Sequence, residues 1–268
     1  MDQLLAMGMD GEASRRALQV ADGNVERALD LLLSGALEQE RNSMGSPALH
    51  LSPGRPLDGG SVHQCNISQY TFGGNGGESA CTIISVLAAH EFLQALHETV
   101  RGISNMTTRF ESVIARGAAL SSPAHLSAEE VLQSPMFMPE CKAHLQVCGL
   151  VLQGLITLPN AFASLINAAR ESSDTGAYAA LVITKPPESV CLLIPPTAAG
   201  AQTDLNYYLL DSHSRPQLGL EMAYIVMSTK ENIICERLAS MFLPFLDDLD
   251  EMQALMYNSM DGTVLQYK

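Results

Sequence analysis

The spacing of apolar residues changes at Tyr178, and that change restricts the folds open to this chain. Before it, apolar positions recur at helical intervals. The run 82–96 places Ile83, Ile84, Leu87, Ala88, Phe92, Ala95 and Leu96 at that period with no glycine or proline. A looser amphipathic run covers 113–122, Ser127 to Glu130 spells a capping box, and 159–170 opens on Pro159 with Phe162, Leu165 and Ile166 facing inward. After Tyr178 come short apolar runs at 179–184, 189–194, 206–211 and 223–227, separated by proline, glycine and polar turns. These read as successive antiparallel strands. Helices followed by strands predict an α+β domain with the helix after Cys81 packed on the sheet, and 233–242 supplies a closing helix.

Of 268 residues, 47% are hydrophobic and 16% charged, enough apolar material for one substantial domain and a smaller module. With 29 acidic and 15 basic residues the formal charge is −14, and no basic cluster is present to hold phosphates, so nucleic acid is not an expected partner. No N-terminal stretch has a basic flank and apolar core, and no run approaches the ~20 apolar residues of a membrane helix, so a soluble, intracellular protein without membrane contact is expected. The six cysteines, at 65, 81, 141, 148, 191 and 235, form no dense framework and predict reduced thiols. Cys141, His144 and Cys148 have the spacing of one helix face and superficially that of zinc ligands, but the fourth ligand is missing; neither a metal nor another cofactor is expected.

Four segments are expected along the chain: a helical module over 1–36, a linker over 37–60, a catalytic domain over 61–246 and an acidic tail over 247–268. The linker loses apolar periodicity and gathers Asn, Ser, Pro and Gly; the tail starts at Asp247 and continues into a surface amphipathic helix. In the first segment, Leu4 to Met9, Ala17, Leu18 and the run from Gly23 to Leu33 spell three short helices. This spelling resembles a ubiquitin-associated (UBA) domain. The resemblance implies that Met7, Gly8, Met9, Leu32 and Leu33 hold the apolar patch of ubiquitin, with Met9 where the family usually has an aromatic residue.

Cys81 opens the long helix after glycines at 73, 74, 76 and 77, with Ser79 as the expected cap. In a first turn, unpaired N–H groups and the positive end of the macrodipole favour an anionic sulfur, and the glycines leave room for an extended substrate backbone. Asp211 and His213 stand at a strand end, where alternation projects both to one side. The aspartate is then set to orient the imidazole, and His213 to take the proton of Cys81 and return it to a leaving amine. Cys81 with Asp211, Ser212 and His213 resembles the deubiquitinases of herpesvirus large tegument proteins and their tegument-like relatives, which are papain-like cysteine peptidases. The resemblance implies a central helix opened by the catalytic cysteine, an Asp-x-His pair on a strand, and a glutamine that completes the oxyanion hole: Gln69, with Gln64 as the alternative. The expected activity is hydrolysis of ubiquitin C-terminal bonds, and the expected partners are ubiquitin and polyubiquitin conjugates. Two alternatives remain at this level: a peptidase for another ubiquitin-like modifier, and a ubiquitin-binding adaptor without catalysis.

Overall fold

The computed structural model describes residues 60–72, 79–98, 103–120, 125–134, 139–148, 152–174, 176–197, 205–244 and 251–268. Among them the helices are α1 (Cys81–Glu98), α2 (Met106–Leu120), α3 (Ala128–Gln133), α4 (Pro139–His144), α5 (Ala161–Ser172), α6 (Glu231–Met241) and α7 (Glu251–Asn258). The strands are β1 (Gly60–Gln64), β2 (Leu145–Val147), β3 (Leu152–Leu155), β4 (Ala179–Lys185), β5 (Glu188–Ile194), β6 (Tyr207–Asp211), β7 (Tyr224–Ser228) and β8 (Ser259–Tyr267). The UBA-like segment, the 37–59 part of the linker, the glycine-rich 73–78 and the acidic start of the tail at 247–250 lie outside the described residues.

The strands form one antiparallel sheet in the order β1-β7-β6-β5-β4-β8-β2, with β3 paired to the first half of β8. The four runs predicted after Tyr178 are β4 to β7, adjacent in the sheet in chain order, and the α+β class is observed. Each of these strands is buried along nearly its whole length because helices cover both faces. On one face Ala180, Val182, Cys191, Leu193 and Leu210 join the core of α1 and α2; on the other Leu181, Ile183, Val190, Leu192 and Leu209 meet α5 and α6. Two-sided burial explains why the strands read as unbroken apolar runs rather than as alternating patterns.

Helix α1 is buried on almost every side, from Cys81 to Leu93 and again at Ala95, with only Glu91 interrupting that stretch. A helix apolar all round belongs inside a layer, not on a surface. It packs on β5, β4 and β8 below and on α2 and α3 beside it. Removing Ile83, Ile84, Leu87, Phe92 and Leu93 from water contributes roughly 1.5–3 kcal/mol for each side chain. The α1–α2 crossing is close enough to require glycine: a Cβ on Gly117 would lie 2.4 Å from Ile84 Cγ1. The capping box at α3 is as expected, with Ser127 Oγ accepting from the Glu130 N–H and Glu130 Oε2 accepting from the Ser127 N–H.

Three expectations are corrected. The expected catalytic domain ends at 246 and an acidic tail follows, yet Ser259–Tyr267 is β8, paired with β4 from Thr184↔Asp261 to Ala179↔Gln266. Strand β1 begins at Gly60, inside the expected linker, and pairs with β7. Cys141, His144 and Cys148 do not share a helix face, because α4 stops at His144 and β2 intervenes before Cys148. Among the described residues no helix is long and apolar enough to cross a membrane, and no group of three or more His, Cys, Asp or Glu residues is arranged to hold a metal ion.

Deleting residues 259–268 removes β8, which leaves β2 and β3 without a partner and opens one edge of β4, whose other edge stays paired with β5. The truncated protein should lose its cooperative thermal transition by circular dichroism. A melting temperature near that of the full chain would mean that β8 is a dispensable appendage.

Candidate active site

Four pieces of chain meet at one end of the sheet: the start of α1, the β4–β5 hairpin, the turn after β6, and a short 3₁₀ helix, Gln69–Phe72. The carbonyl of Ala80 accepts from the Ile84 N–H at 2.8 Å, so Ala80 rather than Ser79 holds the capping position of α1. Cys81 is therefore the first residue of the helix. Its Sγ lies 3.5 Å from the carbonyl oxygen of Pro187, to which the thiol donates. Next to it, the hydroxyls of Thr82 and Ser189 lie 2.9 Å apart, and Ser189 meets Thr184 at the same distance. These buried bonds fasten the nucleophile's turn to the hairpin.

Strand β6 ends at Asp211, and the chain then turns so that the Asp211 carboxylate meets the residue two positions on. Asp211 Oδ1 accepts from the His213 backbone N–H at 2.9 Å and from ring Nδ1 at 2.6 Å. The Asp–His pair thus arises from a side-chain-to-backbone turn and not from strand alternation, since His213 lies beyond the strand. The other oxygen, Oδ2, accepts from Arg215 Nε at 2.8 Å, and Arg215 Nη1 reaches Glu188 Oε2 at 2.7 Å. Asp211, His213 and Arg215 are 0%, 2% and 2% exposed.

This burial decides the electrostatics. Burial alone would lower the His213 pKa, but the carboxylates of Asp211 and Glu188 and hydrogen bonds to Asp211 and Cys81 lift it from 6.5 to about 10. Burial likewise opposes ionisation of Asp211, and the charges of Arg215 and His213 outweigh it, holding the carboxyl well below its usual range. These charges favour the protonated form of the ring, which is bonded to Asp211 through Nδ1 and interacts with Cys81.

Gln69 is fully buried beside the histidine turn: its backbone N–H donates to the Ser212 carbonyl at 3.0 Å, and its Oε1 accepts from Ser212 Oγ at 2.8 Å. Its Nε2 has no hydrogen-bond partner among the described residues. A buried amide donor left unpaired costs about 1–3 kcal/mol. Gln64, the alternative, is the last residue of β1; with its amide oriented to suit its neighbours, the oxygen accepts from the N–H groups of Glu221 and Met222, 3.2 Å each. Tyr70 stands over the histidine, with ring centroids 6.0 Å apart.

The other thiols and histidines lie elsewhere. Burial and Glu111 push Cys65 up to about 12, and its Sγ faces the Thr107 carbonyl; burial also raises Cys148, Cys191 and Cys235. All six cysteines are free. His63 contacts Ser61, and His90, His97 and His144 gather around Tyr267 on β8. Sequence reasoning missed Arg215, Glu188 and Tyr70. Arg215 follows His213 by two residues, but its role depends on Glu188, which only the β4–β5 hairpin brings near.

Residues 1–32 match the UBA/TS-N domain family, at the segment whose spelling resembles it. That match covers Met7, Gly8, Met9 and Leu32, while Leu33 lies one residue past it; all five are outside the described residues. UBA domains bind ubiquitin, and this is the functional content the match brings to the chain. The chain matches no curated protein.

The His213 shift has a sign that stability can test. Its folded pKa is raised, so its contribution is complete below 6.5 and is lost as pH rises through about 10. Asp211 is depressed, so its contribution is present above 3.8 and is lost as pH falls below that value. Unfolding free energy measured by urea titration should therefore decline between pH 6.5 and 10, and Asp211→Asn should flatten that decline. Equal pH slopes in both proteins would show that the pair carries no such coupling.

Proposed function

We propose that the chain is a thiol-dependent hydrolase of ubiquitin C-terminal bonds, with a papain-like arrangement in the domain that follows the UBA match. The observation that carries this reading is the meeting of Cys81, His213 and Asp211 from distant parts of the chain, beside a buried amide donor without a hydrogen-bond partner among the described residues. The UBA match supplies the choice of ubiquitin as substrate.

In this mechanism the Cys81 proton passes to His213, giving a thiolate beside an imidazolium, and Sγ attacks the carbonyl carbon of the terminal glycine. The oxyanion collects hydrogen bonds from the backbone N–H of Cys81 and from Gln69 Nε2. His213 then gives its proton to the departing amine, leaving a thioester on Sγ, and takes a proton from the water that hydrolyses it. Asp211 keeps Nδ1 protonated and Nε2 turned toward the sulfur. Cys81 is 1% exposed, so substrate entry requires whatever covers the sulfur to part. The overall acidity suits a partner whose tail carries arginines before its glycine pair.

A panel of ubiquitin and ubiquitin-like proteins with C-terminal electrophiles tests the reading. The ubiquitin probe should add one covalent adduct by mass spectrometry, and Cys81→Ala should abolish it without changing the fold. Labelling only by a different modifier would transfer the activity to that substrate; labelling by none, with ubiquitin still bound, would favour an adaptor.

Within the same reading, Gln69→Ala should reduce the maximal rate on a fluorogenic ubiquitin amide by ~10²-fold with little change in KM. Gln64→Ala should not, because its amide is engaged with the 221–222 backbone. The reverse pattern would reassign the oxyanion donor.

A further inference from the structure

We infer that Arg215 is a positioning residue for the Cys81–His213 pair, and that it works by clamping Asp211 to Glu188 across the end of the sheet. The inference rests on the hydrolase reading above and adds two residues to its machinery.

The geometry has three parts. First, Arg215 divides its guanidinium between two carboxylates, Nε to Asp211 Oδ2 at 2.8 Å and Nη1 to Glu188 Oε2 at 2.7 Å. Asp211 is thereby held with its other oxygen, Oδ1, left for His213. Second, the clamp joins two pieces of chain that each touch the nucleophile. Glu188 is the first residue of β5 and follows Pro187, whose carbonyl faces Cys81 Sγ; Arg215 lies two residues beyond His213. Third, the clamp is rigid at its own base. The Arg215 N–H donates to the Leu220 carbonyl at 2.6 Å, and the Leu220 N–H returns a bond to the Arg215 carbonyl at 3.0 Å. The guanidinium carbon also lies 5.8 Å from the centre of the Phe242 ring.

Strand alternation shows what the clamp must do. Asp211 follows Leu209 by two, and Glu188 precedes Val190 by two, so both carboxylates start on the α5–α6 face of the sheet. Cys81 belongs to α1 on the opposite face. The histidine must therefore reach around the end of β6, and its direction is fixed only if the carboxylate behind it is fixed. Only a planar fork spans both acids; a lysine ammonium, a single point of charge, cannot keep this geometry.

The charged and titratable groups around His213 are Asp211 on β6, Glu188 on β5, Cys81 on α1 and Tyr70 on the 3₁₀ helix. Arg215 of its own turn, Lys185 on β4 and Tyr224 on β7 stand behind those two acids. Glu188 is the one acid whose removal leaves the Asp211–His213 bond itself in place, so it separates the clamp from the pair.

The test uses the full chain with Arg215→Lys, Arg215→Gln and Glu188→Gln, each checked for folding by thermal melting. Hydrolysis of a fluorogenic ubiquitin amide should fall by about 10²-fold in kcat for Arg215→Gln, with KM within about threefold, as expected when a reacting group is displaced by about an ångström. Arg215→Lys should recover only a small part of that loss. Because Arg215→Gln leaves the buried Asp211 and the half-buried Glu188 without their cation and can unfold, Glu188→Gln carries the second arm. The His213 ring should titrate by NMR at a lower pH in Glu188→Gln than in the wild type. A purely structural Arg215 would lower the melting temperature without moving kcat, and kcat within threefold of wild type in folded Arg215→Lys overturns the proposal, as does an unmoved His213 midpoint in Glu188→Gln. If the wild-type chain hydrolyses nothing, the hydrolase reading fails separately, and the His213 Nδ1–H resonance decides for the clamp: it should shift or broaden in folded Arg215→Lys, and an unmoved resonance overturns the proposal.

Discussion

Asp211 is a fully buried carboxylate, and the arrangement around it follows from that fact. An unpaired buried charge costs several kcal/mol, so the chain must bring partners to both oxygens. It does so from its own next four residues: the His213 ring and backbone take one oxygen, and Arg215 takes the other. Arg215 is then itself a buried cation in need of a second acid, which Glu188 supplies from the hairpin. A single burial thus draws the β6 turn and the β4–β5 hairpin together, and the opening of α1 is bonded to that same hairpin.

The parts of the fold that were legible in the sequence are those decided locally. The runs of β4 to β7 are bounded by strong turn residues and pair with neighbours in order, so period and punctuation suffice. Strand β8 failed that test. It begins Ser259, Met260, Asp261, Gly262, a polar and glycine-containing start that follows an acidic run, and its partner β4 lies far back in the chain. Its place is set by the open edge of β4, which no local pattern announces. The same holds for β2 and β3, short segments that exist as strands because β8 is there to pair with.

At the site, the residues that sequence reasoning singled out are those whose chemistry is rare in their context: a thiol opening an apolar helix, and an Asp-x-His at a strand end. Cys81, Asp211 and His213 are brought together. Gln69 stands against the histidine turn, whereas Gln64 is turned toward the 221–222 backbone. Arg215 and Glu188 were illegible because an arginine near an aspartate is ordinary in any sequence. Their meaning comes from the ion pair between them beside the buried Asp211, and that pair is a property of the assembled sheet end. Cys141, His144 and Cys148 show the converse error, a spacing that suggested one face until the helix ended at His144.

The internal use of cations also alters what the rest of the chain presents to a partner. Among the described residues the cations Lys185, Arg215 and Arg237 are buried, and so is the acid Asp211. The formal charge of −14 counts those three cations as though they faced solvent. Of the three, Arg215 is committed to Asp211 and Glu188, and burial lowers the Lys185 pKa. Arg215 is thus taken up inside the fold rather than offered to a partner, as a consequence of how the buried aspartate is stabilised.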